Sequence, residues 1–224
     1  MKNSDHYDKT VKFFRASAIE RQGYYDAKPQ GALEHNIWQM RIRKIVLELL
    51  DELSPDPDIS KVIDVGCGRG DFTIEIAKRY RRFSEVWGSD FSKETLEIAQ
   101  RNGAALEKVF FREANLLNMP FKEKSFGLCL CINTMHHIHK NDISKSLSEL
   151  ARITDKYIVL EVKNNDNLYM RYVRSKALGG INVYPTSVKE VSGVLKKYGF
   201  RLVRQKGIFL FNWLSPLLVL VYKA

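Results

Sequence analysis

Between residues 61 and 200 the chain alternates short apolar runs with runs of helical spacing, and this alternation leaves few folds open. KVIDVG (61–66), EVWGSD (85–90), VFFREAN (109–115), FGLCLCIN (126–133) and YIVLEV (157–162) are short, apolar and bounded by turn residues, as buried strands are. FTIEIAKRYRRF follows Asp71, which is expected to cap it; SKETLEIAQRNG starts on a serine cap and ends at Gly103. ISKSLSELARI (143–153) and SVKEVSGVLKKYGF (187–200) carry the same helical spacing. Strands and helices in alternation with short connections predict an α/β fold, a doubly wound and mostly parallel sheet of about seven strands. The last two apolar runs, LVRQKGIFLF and LLVLVYKA, have only NWLSP between them, so they predict an antiparallel hairpin at the sheet edge. An earlier helix is expected from Ile37, running IWQMRIRKIVLELLDEL until Pro55 and Pro57 stop it.

The chain has 224 residues, 45% of them hydrophobic, enough for the core of one domain but too few for two full ones. Residues 1–36 are expected to form an N-terminal helical cap, and 37–224 the main domain with a substrate-side insertion at 163–186, the longest stretch without a clear period. Three cysteines (Cys67, Cys129, Cys131) make no disulfide framework and suit a reducing compartment. The N-terminus carries charges where a secretory signal has its apolar core, so a cytoplasmic location is expected. The apolar run from Ile208 to Tyr222 is broken by Asn212, Ser215 and Pro216 and falls short of the roughly 18–20 residues a spanning helix needs, so no transmembrane segment is expected.

A net charge of +10 invites nucleic acid, an anionic membrane surface or an anionic small molecule as partner. The excess is uneven. Residues 1–50 carry 9 basic and 6 acidic side chains, residues 51–150 carry 14 and 16, and residues 151–224 carry 13 and 4. The near-neutral middle third holds the sharpest motif, Asp64-Val65-Gly66-Cys67-Gly68-Arg69-Gly70, between an expected strand and an expected helix. Alternate glycines let the chain turn tightly and let a ligand lie on bare backbone beside the free N–H groups of a helix start. Counting from Gly66 puts Asp71 at the last place of the dinucleotide fingerprint, and no Gly-Lys-Ser/Thr follows, which disfavours both a dinucleotide and a P-loop reading. Asp90 ends the second strand, where a carboxylate can accept from a ribose diol. Asn115 ends the third, where a carbonyl can accept from an exocyclic amine. Asp64 needs a partner, because an acid in an apolar strand is costly alone; loop N–H groups or a cationic ligand would supply one.

VIDVGCGRGDF, WGSDFS and NLLNMPFKEKSFGLCLCINTMHHI together resemble the class I S-adenosylmethionine-dependent methyltransferases, nearest the small-molecule group that includes ubiquinone and menaquinone biosynthesis enzymes. The resemblance covers roughly residues 37–160. It implies S-adenosyl-L-methionine as cofactor, with Asp64, Gly66, Cys67, Gly68 and Gly70 around its amino-acid portion. It also implies Asp90 on the ribose, Phe91, Asn115 and Leu116 at the adenine, and Asn133 under the methionine end. Two positions depart from the family: Asn115 stands where Asp is usual, and so does Gly127, which leaves a packing or turn role unfilled.

His136, His137 and His139 in MHHIHK have no Cys or carboxylate at ligand spacing, so no metal is expected. A histidine just past the fourth strand would serve better as a base, His137 first and His136 second, wherever the acceptor must lose a proton. Cys129 and Cys131 alternate on one strand face and read as small buried hydrophobes, Cys67 as a loop filler. Tyr24, Tyr25, Trp38 and Arg41 are expected either to close over the ligand or to pack an added helix on the sheet. Tyr169, Tyr172 and Tyr184, with Arg171, Arg174 and Lys176, are expected at the substrate mouth. The expected reaction is in-line methyl transfer to a small-molecule acceptor, lipidic or anionic. The alternatives are an RNA methyltransferase and a noncatalytic S-adenosylmethionine-binding protein. The absence of an Asn-Pro-Pro-Tyr-like element after LCLCIN counts against RNA.

Overall fold

The structure, a computed structural model, describes residues 9–13, 33–168, 170, 183–209 and 211–224. Seven strands form one sheet: β1 Lys61–Val65, β2 Glu85–Asp90, β3 Val109–Glu113, β4 Phe126–Cys131, β5 Thr154–Lys163, β6 Arg201–Gly207 and β7 Leu217–Lys223. Their order is β3-β2-β1-β4-β5-β7-β6, parallel from β3 to β5. Strand β7 runs antiparallel between β5 and β6, so the expected hairpin is present and its second arm lies inside the sheet. The chain steps outward from β1 to β3 and returns to place β4 beside β1. That reversal opens a crevice at the carboxyl ends of β1 and β4, where ligands bind in open α/β sheets.

The sheet carries helices α1 Leu33–Leu53, α2 Asp71–Arg79, α3 Lys93–Gly103, α4 Ile143–Ile153 and α5 Val188–Leu195. Alternating strand residues divide the core. Ile63, Cys129, Cys131, Ile158 and Leu160 meet α4 and α5 on one face; Val62, Leu128, Leu130, Val159 and Val219 meet α1 and α2 on the other. Helix α3 packs on β2 and β3 beside α2. Both β4 cysteines are wholly buried on the α4 side, and burial pushes the Cys129 thiol up to about 12, so they act as apolar filling.

Local signals place most boundaries. Ser92 and Ser187 cap α3 and α5, their hydroxyls accepting from the Thr95 and Glu190 N–H groups. Asp71 does not cap α2: Gly70, left-handed, takes the cap position with no side-chain bond, and Asp71 is the first helical residue, where its charge suits the helix dipole. Helix α1 begins at Leu33, four residues before Ile37. Strand β3 stops at Glu113, and Asn115 instead forms an isolated bridge to Asn118. Gly127 lies at an irregularity between β4 and β5, and a Cβ there would sit 2.6 Å from the Asp58 carbonyl oxygen. The position is thus filled by approaching backbone, and the expected vacancy in packing does not exist.

The basic C-terminal third is partly neutralised by acids distant in sequence. Lys156 pairs with Asp56 and Asp58, Arg204 with Glu52, and Lys206 with Glu48 and Glu52. No helix among the described residues is long and apolar enough to cross a membrane.

Candidate functional site

The turn after β1 is held by strand β2. The N–H groups of Gly66 and Cys67 both donate to the Ser89 carbonyl at 2.7 and 3.0 Å, and Gly70 N–H donates to Cys67 O. Gly66, Gly68 and Gly70 all have φ between 54° and 79°. At Gly66 the requirement is double, because a Cβ would also fall 2.0 Å from the Thr134 hydroxyl oxygen. The Asn133–Thr134 turn after β4 therefore lies directly on the glycine loop. Thr134 anchors that turn by donating to the carbonyls of Ile132 and Val65.

Asp64 is 3% exposed, and its partner is a residue that spacing did not suggest. The Thr73 hydroxyl of α2 donates to its carboxylate at 2.7 Å, in place of the expected loop N–H groups. Burial, with the Asp90 charge nearby, pushes the Asp64 carboxyl up to about 6 against the pull of Thr73. Asp90, at the end of β2, spans the crevice: its Oδ2 accepts from Gly68 N–H at 3.0 Å and its Oδ1 from Ser92 N–H at 3.0 Å. Burial raises its carboxyl, while the backbone donors of Ser92, Gly68 and Phe91 pull it back. Those three donors still leave the carboxylate a lone pair for a ligand. Burial and the nearby Asp90 and Asp64 charges drive the Cys67 thiol up, which disfavours its thiolate.

Phe91 and Leu116 stand one residue past Asp90 and Asn115, half-buried and buried respectively. The Asn115 carbonyl accepts from Leu117 N–H at 2.9 Å, so its first use is to shape its own turn. On the other side of the crevice Asn133 adopts φ 58°, and its side-chain amide makes a reciprocal pair with Gln39 of α1. Its backbone N–H donates to Glu161 Oε2 at 2.8 Å. Glu161 is wholly buried in β5, and its Oε1 has no hydrogen-bond partner among the described residues. Burial raises its carboxyl, against the pull of Lys163.

His136 and His137 occupy a 3-10 turn, Met135–His137, with ring centroids 4.1 Å apart. His136 is buried; His137 is half-buried. Tyr184 N–H donates to the His136 carbonyl, and the Tyr184 ring meets His139 edge-on at 5.1 Å, which brings the end of the 163–186 segment over the histidine turn. Trp38 and Arg41 pack on Phe209 at the β6–β7 connection, and Arg41 also donates to Ile208 O. Between them, Gln39 is an α1 side chain that pairs with Asn133. Tyr24, Tyr25, Tyr169, Tyr172, Arg171, Arg174 and Lys176 lie outside the described residues.

Spacing missed Gln39, Thr73, Thr134 and Glu161. Only Glu161 had a signal of its own, a charge inside the apolar run YIVLEV, the same anomaly that marks Asp64 in KVIDVG.

Residues 62–156 match the family model described as a methyltransferase domain. The demethylmenaquinone methyltransferase of Staphylococcus aureus is 31% identical over 96 residues, which are 42% of this chain and 35% of that protein. The chain thus spans about a third of the length of the curated relatives it matches. Among solved structures, the magnesium protoporphyrin IX methyltransferase of Synechocystis with bound SAH superposes with a TM-score of 0.76 at 18% identity, covering 97% of this chain and 99% of that one. An S-adenosylmethionine-dependent methyltransferase from Mesorhizobium loti gives 0.63 at 16% identity, covering 79% and 96%. At such identities the likeness is one of fold.

Proposed function

We propose that this chain, whose residues 62–156 match a methyltransferase domain, is a class I S-adenosylmethionine-dependent methyltransferase that moves the methyl group of S-adenosylmethionine onto a small-molecule acceptor. The observation that carries this reading is the crevice at the strand reversal, where the Asp90 carboxylate and the left-handed glycine loop are joined by the Gly68 N–H bond. The residues fit the cofactor. Gly68 has open space where a Cβ would stand, so a ligand can lie on its backbone. Asp90 would take the ribose hydroxyls, with Phe91, Asn115 and Leu116 along the adenine. Gly66, Cys67, Gly70, Asp64 and Asn133 would surround the amino-acid end.

Bound S-adenosylmethionine supplies an activated methyl group on a sulfonium, which needs no metal. The chain's own part is alignment and exclusion of water. His137, half-buried at the mouth beside the Asn133 turn, takes a proton from an acceptor O–H or N–H at a ring nitrogen, with His136 the second choice. Phe209, Phe211, Trp213 and Leu214 are exposed on the β6–β7 connection, at the same sheet end as the crevice, and favour an apolar acceptor. The pairing of Lys156, Arg204 and Lys206 with acids leaves less support for an RNA acceptor. The likeness to the Staphylococcus relative spans only 35% of that protein and gives no ground for the same acceptor.

Titration calorimetry with S-adenosylmethionine tests the core of this. Asp90→Ala, which removes the ribose acceptor and the Gly68 tie, is expected to weaken binding at least about tenfold, with Asp90→Asn falling between it and wild type. No heat of binding at millimolar ligand, or equal affinity for wild type and Asp90→Ala, would sink the proposal.

A further inference from the structure

We infer that Glu161 is a positioning residue for the ligand, acting through Asn133; the inference rests on the reading of Asn133 as a cofactor contact. Asn133 and Lys124 are the only non-glycine residues with positive φ among the described residues. A left-handed residue costs free energy and persists only where its surroundings fix it. Asn133 is fixed from two sides. Strand β4 has ended at Cys131, whose pairing with Leu160 is the last rung of the β4–β5 ladder. Beyond that rung a side chain of β5 supplies the acceptor, Glu161 Oε2 receiving the Asn133 N–H at 2.8 Å. From the opposite side Gln39 of α1 clasps the Asn133 amide.

A structural bond alone explains this arrangement poorly. A wholly buried carboxylate pays a desolvation cost that a neutral side chain would avoid, and here one of its two oxygens stays without a hydrogen-bond partner among the described residues. The neighbouring Lys163 offsets part of that cost by its charge but forms no ion pair with Glu161 among the described residues. What the carboxylate achieves is conformational. A strong, charge-assisted acceptor holds the Asn133 N–H in the left-handed turn, and Thr134, the next residue, presses on Gly66. The turn that bears the methionine end of the ligand is thereby set by β5. Gln39 then ties the same residue to α1.

The test is S-adenosylhomocysteine affinity by calorimetry on wild type, Glu161→Gln, Glu161→Leu, Asn133→Gly and the double variant Glu161→Leu/Asn133→Gly. Leucine for a buried charge is tolerated by folding in general, and circular dichroism checks it here. Glu161→Leu is expected to weaken binding about tenfold or more, and Glu161→Gln, whose carbonyl still accepts, to stay within about threefold of wild type. Glycine adopts the left-handed turn unaided. In the Asn133→Gly background, Glu161→Leu should therefore cost less than about threefold. Wild-type affinity in Glu161→Leu, or the same loss in both backgrounds, overturns the inference while leaving the cofactor reading intact. Failure of wild type to bind overturns both.

Discussion

Replacing Asp64 with asparagine should make the protein more stable at neutral pH and remove part of its pH dependence. The carboxyl is fully buried, and its ordinary value of 3.8 is raised to about 6 by burial and by the Asp90 charge. The folded state therefore holds this proton over a range where the unfolded state has lost it. With fewer protons bound in the unfolded chain, stability falls as pH rises from about 4 to about 6 and stays lowered above that. At about 1.4 kcal/mol per tenfold change in proton affinity, the penalty at pH 7.5 is about 3 kcal/mol. Asparagine keeps the shape and accepts the Thr73 hydroxyl through its carbonyl, but carries no charge to desolvate. Urea unfolding followed by circular dichroism at about pH 7.5 and about pH 4.5, on both proteins, reads the difference. The expected gap is about 3 kcal/mol in favour of Asp64→Asn at the higher pH, equivalent to roughly 6–12 °C in Tm, and about 1 kcal/mol at the lower. Asp51, Asp56, Glu85 and Glu149, whose carboxyls are held low by their partners, titrate alike in both proteins and cancel. The reasoning fails if Asp64→Asn is no more stable at pH 7.5, or if the gap does not narrow on acidification. Such a cost kept in the wild type is what a ligand site looks like before its ligand arrives.

Gly127→Ala should destabilise the protein by about 1–3 kcal/mol in the same urea assay, because its Cβ would sit 2.6 Å from backbone that has no side-chain freedom to give way; equal stability would refute that account. His137→Asn should lower kcat by about 10²-fold or more on an acceptor that must lose a proton, with S-adenosylmethionine affinity unchanged; an unaltered kcat would remove the base assignment.

Much of the fold was legible because its signals are local. Ser92 and Ser187 announce their helices within a single turn, and strand β2 and helix α4 run from first to last residue as their apolar spacing predicts. The misreadings fall where a neighbour overrides a local preference. Asp71 looks like a cap, but the glycine turn places Gly70 there. Gly127 looks like a lost aspartate, but the backbone at Asp58 occupies its space. The segmental charge count does not reveal that Glu48, Glu52, Asp56 and Asp58 pair with Lys156, Arg204 and Lys206 far along the chain.

The site divides the same way. The glycine loop, Asp90 and the strand alternation were set by residues within a few positions of one another, since turn conformation and strand burial depend on local composition. The Asp64–Thr73 bond needed a helix to fold back on its strand. The Gln39–Asn133–Glu161 chain joins residues 94 and 28 positions apart, and no spacing rule connects an amide on α1 with a carboxylate on β5. Only packing α1 over the ends of β4 and β5 brings them together. Gln39 and Glu161 are buried in that contact, where a polar group without a protein partner is costly.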